Sequence, residues 1–215
     1  MNMRLLSLFL VLNFVVFSQK SYEFQNPLPP NAETVKTVSP IYFASYENQE
    51  TGTVFLVNDF GLTMISTIHS FITQEQVRES SKYSFRNGYL FGVVENDSVL
   101  YIQEDDKYYF GIKHKIVLND SKNGAVLKKI SENKYIINFK EGNNYTPSLL
   151  TFIGKNLIIK HFDYPSETAI FSNIKESKTS KVWEIDHFLL NPSQEEWEKL
   201  DQSIIFGKEN TFVKQ

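Results

Sequence analysis

Between residues 89 and 162 the chain is a succession of short β-like runs with no room between them for helices, and this stretch restricts the fold more than any other. The runs are Tyr89–Glu95, Val99–Gln103, Tyr108–Leu118, Ala125–Ile130, Tyr135–Lys140, Ser148–Ile153 and Leu157–Phe162. The breaks are short and rich in Gly, Asn and Asp, which tolerate the left-handed backbone of tight hairpin turns. Parallel neighbours would need crossovers of a dozen or more residues. The stretch is therefore expected to be an antiparallel meander. Alternation places Phe110, Ile112, His114, Ile116 and Leu118 on one face, with Lys113 and Lys115 on the other. Tyr135, Ile137 and Phe139 oppose Asn138 and Lys140 in the same way. One packed and one wet face is the pattern of a sandwich or barrel wall.

The flanks extend this pattern. Ile41–Tyr46 and Thr53–Val57 bracket a polar stretch ending in Gly52, a hairpin signature, and Leu62–His69 continues it. Thr73-x-x-Gln76 and Ser193-x-x-Glu196 fit capping boxes, each opening a short helix. Val182–Phe188 and Ser203–Phe206 complete the strand set. The expected fold is mainly β: an antiparallel meander of roughly ten strands forming a sandwich or small barrel, with two short helices, in a single domain over residues 41–215. Tyr89-Leu90-Phe91-Gly92-Val93 and Tyr108-Tyr109-Phe110-Gly111-Ile112 echo each other. The echo has no third copy, so it marks similar strands rather than a repeat array, and each glycine points to a bulge or close backbone approach.

Residues 1–18 have the layout of a signal peptide: Arg4, an apolar run from Leu5 to Phe17, and Val16 and Ser18 at the −3 and −1 positions. The apolar run is too short for a spanning helix. Cleavage after Ser18, with Arg4 lost, leaves 197 residues and takes the formal charge from −3 to −4. The expected location is therefore exported: periplasmic, associated with the outer envelope, or secreted, with no transmembrane segment after cleavage. Residues 19–40, with Pro27, Pro29 and Pro30, are expected to be a Pro-rich tether. A turn of helix capped at Asn31 is expected to end before Pro40. Lys exceeds Arg by 19 to 3 and Asn occurs 18 times, a bias in keeping with a bacterial source.

There are no cysteines, which excludes disulfide staples, thiolate metal sites and cysteine nucleophiles. No basic excess exists to hold a nucleic-acid backbone. Nucleophile-elbow, zincin, Walker and dinucleotide-binding motifs are missing. No cofactor, metal site or catalytic residue is expected. His69, His114, His161 and His187 are not spaced as ligands along any element, and a lone histidine on an apolar face is more often part of the packing. Glu104-Asp105-Asp106 lacks calcium-loop spacing and suits a turn. Sequons at Asn96, Asn119 and Asn144 fall in expected turns and arise readily in an Asn-rich chain. An outer-membrane barrel fits poorly, because several strands are short and Lys128 and Lys129 adjoin within one.

These features point to an exported, non-catalytic binding or structural module of the bacterial cell envelope, whose partner is an envelope protein or a small ligand. Tyr101, Tyr109 and Trp183 are the binding candidates, since Tyr and Trp give large contact area at low entropic cost. One alternative is a calycin-like carrier of a small apolar ligand, distinguished by room on its inner face. Another is a glycoside-type hydrolase using Glu184 and Asp186, which share a strand face beside His187.

Overall fold

The computed structural model describes residues 20–119, 124–163, 168–175, 177–182 and 185–215. Within them the first half of the chain forms β1 (Lys20–Phe24), β2 (Glu33–Val35), β3 (Ala44–Glu47), β4 (Val54–Asn58), β5 (Gly61–Thr73), α1 (Gln74–Glu79), β6 (Ser84–Arg86), β7 (Tyr89–Val94) and β8 (Asp97–Glu104). The remainder forms β9 (Lys107–Val117), β10 (Val126–Lys129), β11 (Lys134–Glu141), β12 (Asn144–Ile153), β13 (Asn156–Phe162), β14 (Ser177–Val182), β15 (Ile185–Leu190), α2 (Gln194–Lys199), α3 (Gln202–Ile205) and β16 (Phe206–Lys214). The protein is mainly β, an open and almost wholly antiparallel sheet with short helices. All seven runs of the central stretch are strands. The capping boxes at Thr73 and Ser193 form as expected, with side chain and backbone bonded reciprocally at both.

The meander is interrupted once. β7, β8 and β9 are consecutive neighbours, and so are β10 to β13, but β9 pairs with β5 instead of β10. This pairing runs eleven residues in register, from Thr63↔Val117 to Thr73↔Lys107. A ladder that long outweighs the local preference for joining β9 to the next strand. The strand count exceeds ten because β1, β2, β6 and β14 are short runs without clear alternation, and 3–6 residues are too few to show a period. Ser203–Phe206, expected as a strand, is mostly α3, opened by the Asp201 side chain accepting from the Ser203 N–H. The final strand begins at Phe206.

Residues 20–40 are not a free tether. β1 lies between β12 and β15, parallel to β15, and β2 pairs with β10. Between them Leu28 is buried and doubly bonded to Asn138: its N–H donates to Oδ1 at 2.8 Å and its carbonyl accepts from Nδ2 at 2.9 Å. Asn138, expected on a wet face, is therefore fully buried, and so is its neighbour Ile136. Both faces of β11 are covered. The proline-rich composition suggested an extended chain, and the chain is extended, but it docks because Tyr22, Phe24 and Leu28 give it an apolar side.

Three cores follow. The first lies on the concave face of the sheet and includes Tyr46, Phe55, Leu62, Ile137, Leu150, Leu157 and Phe212. The second, behind β11 and β13, gathers Tyr22, Phe24, Phe162, Trp197 and Phe206 under α2 and α3. The third is small and distal: Ile72, Leu90, Val99 and Phe110, with Tyr101 and Tyr108 packed against them. The long strands β5 and β9 carry the chain from the first core to the third. Around the first core the sheet folds over on itself until its edges meet through polar bonds and not through a ladder. Thr37 Oγ1 donates to the Asn58 carbonyl at 2.7 Å. The Asn119 side chain accepts from the Leu62 N–H at 2.8 Å and donates to the Lys36 carbonyl.

Candidate functional site

The folded-over sheet forms a cavity of about 470 Å³, open to solvent on one side, on its concave face. Strand pairing explains its walls. Ile137, Ser148 and His161 stand in one row across β11, β12 and β13, and Leu150, Ile159 and Asn210 in the next row across β12, β13 and β16. Phe55, Met64 and Ile116 close the opposite side from β4, β5 and β9, and Phe139 and Phe212 complete the apolar lining. Because alternate residues on a strand share a face, β11, β12, β13 and β16 each contribute side chains two residues apart.

Apart from Lys140, the polar groups of the cavity fall into two sets. Asn48, Thr51 and Thr53 are occupied with one another. Asn48 Oδ1 accepts from the Thr51 N–H and hydroxyl at 2.9 and 3.0 Å, and the Thr51 hydroxyl lies 3.0 Å from that of Thr53. Ser148, His161 and Asn210 face the space more freely. Ser148 Oγ lies 3.2 Å from His161 Nδ1. Burial of the His161 ring lowers its pKa, and the positive charge of Lys208 lowers it further. The ring is thus neutral near pH 7, able to accept at one nitrogen and donate at the other. A serine beside a histidine resembles part of a nucleophilic triad; among the described residues no Asp or Glu lines the cavity, and the pair as placed can hydrogen-bond a group in the space.

The residues singled out from sequence are dispersed. Tyr109 is exposed in the distal lobe, its ring 5.7 Å from that of Phe71. With Tyr89, Leu100 and Ile102 these two rings form an exposed apolar sheet face, as the pairings Phe71↔Tyr109, Tyr109↔Ile102 and Tyr89↔Leu100 require. Tyr101 points the other way into the third core, 5.0 Å from Phe85 and 5.6 Å from Tyr108. Trp183 and Glu184 lie outside the described residues. Asp186 faces Lys181 at 4.0 Å.

The four histidines are separate: His69 and His114 are exposed on β5 and β9, His187 is on β15, and only His161 meets the cavity. Among the described residues no three His, Asp or Glu side chains group as metal ligands. Glu104 ends β8 and Asp105–Asp106 form the turn into β9, with Asp105 at φ +52°. Two sequon asparagines have structural duties, Asn119 at the sheet edges and Asn144 donating to Glu23. The Ser148–His161 pair was only half legible in the sequence. His161 alternates with Leu157 and Ile159, but nothing local indicated which strand would face it.

No protein-family model matches this chain, no curated protein matches it, and no solved structure matches it. The fold and the cavity therefore define the class by themselves: a mainly-β protein with an open sheet folded around an apolar chamber.

Proposed function

We propose that the chain is an exported, non-catalytic binding module of the bacterial cell envelope, and that its concave cavity carries a small, largely apolar ligand. The observation that carries this reading is the cavity itself, about 470 Å³ with predominantly apolar walls. Sites for small molecules are commonly clefts of about 300–1,000 Å³ with a few placed polar groups. The open sheet departs from a closed calycin-like barrel, yet it leaves the same kind of inner space. The N-terminal apolar run ending at Ser18 supports export.

Titration with the neutral fluorophore N-phenyl-1-naphthylamine tests the binding. Saturable emission at one dye per chain is expected, and it is lost in Met64→Trp, which fills the chamber, while circular dichroism stays unchanged. Absence of saturable emission, or emission indifferent to Met64→Trp, sinks the proposal. The intact mass of the protein recovered from its host reports export: residues 1–18 are expected to be gone.

A further inference from the structure

Resting on the carrier reading, we propose that the ligand is an anionic amphiphile: a single hydrocarbon chain with a carboxylate head, the chain lying against Phe55, Leu150 and Phe212 and the head meeting His161 and Asn210 under the charge of Lys208. The charge of the lining is one-sided. The whole protein has 25 Asp and Glu against 22 Lys and Arg, yet among the described residues no Asp or Glu lines the cavity, whereas the charged Lys140 and the polar His161 do. Lys208 is exposed on β16, opposite the bulge at His161, and does not line the cavity, but its charge acts on His161. A cationic head would meet this field unfavourably, and a neutral head would gain little from it.

The hydrogen-bond inventory points the same way. The Asn48, Thr51 and Thr53 groups are already engaged with each other. When the Ser148 hydroxyl donates to His161 Nδ1, the proton of the neutral ring sits on Nε2, which then donates to an acceptor. The Asn210 amide is a further donor lining the cavity, and the Lys208 charge adds its field from the rim. Donors converging beside an apolar chamber select a head that only accepts, and a carboxylate does so with both oxygens.

Displacement of the bound fluorophore by ligands of equal chain length tests this on the mature chain. Decanoate is expected to displace it at a concentration at least about tenfold below decanol, and decyltrimethylammonium to be weaker than both. Lys208→Glu, an exposed position, is expected to remove decanoate's advantage, and His161→Gln to reduce it. Decanol or the ammonium binding as tightly as decanoate overturns the anion assignment, and so does a decanoate preference that survives Lys208→Glu. If the fluorophore itself never binds, the carrier reading falls and this inference with it. Fluorophore and decanol binding without preference sinks the inference alone.

Discussion

His161 shows how one residue's environment becomes a property of the whole protein. Burial and the Lys208 charge hold its folded pKa below the usual value near 6.5. On acidification the unfolded chain takes up a proton here before the folded chain does. This residue therefore costs stability as pH falls through the unfolded value, and the loss continues down to the folded one. Denaturant unfolding of ligand-free protein from about pH 7.5 to about pH 5 is expected to show this decline, and His161→Gln to make it shallower. An unchanged slope in the variant would mean that other groups govern the acid side. A bound carboxylate opposes the shift, so loading with decanoate is expected to flatten the same profile.

At the scale of elements, the interior glycines of the echoed strands are explained by close approach. Gly92 has φ +90°, sits where the β7–β8 register shifts, and a Cβ there would run into the Lys82 carbonyl. Gly142, in the β11–β12 turn, has φ +62° but open space around it. Both positions strain an L-residue, yet only Gly92 adds a backbone clash. Gly142→Ala is expected to cost about 1–2 kcal/mol, and Gly92→Ala clearly more, as measured by denaturant midpoints. Equal costs would show that β7 can shift away from Lys82. The strands themselves do double duty. β9 carries Phe110 and Ile112 into the distal core and Ile116 to the cavity, while His114 between them is exposed on the same face. Its alternation was legible from sequence, but the division of one face between two cores was not.

For the whole molecule, the N-terminal segment is the closure of the second core. Asn138 pins Leu28 by both backbone groups and also donates to the Val126 carbonyl at 3.3 Å. Asn138→Ala leaves the buried Leu28 N–H and carbonyl without partners, at about 3 kcal/mol for the pair. The expected readout is a lowered denaturant midpoint together with proteolytic cleavage between residues 25 and 40. A variant that loses stability without becoming cleavable there would place the cost elsewhere in the β10–β11 pair.

The sequence alone determined the strand class, all seven central strands, both capping boxes and the turn role of the Gly, Asn and Asp clusters. Those features depend on residues within one period or one hydrogen-bonded turn of each other, so local order is enough to encode them. Only the tertiary structure decided that β9 would pair with β5, that Asn138 would be buried under residues 20–40, and that Ser148 and His161 would meet beside an apolar chamber. Each of these depends on which strand faces which across long separations. Alternation specifies that a face is apolar, but not what covers it, and many partners satisfy the same pattern. The cavity exists because Met64, Ile116 and Phe139 come from three separate strands that fold over together without filling the space between them.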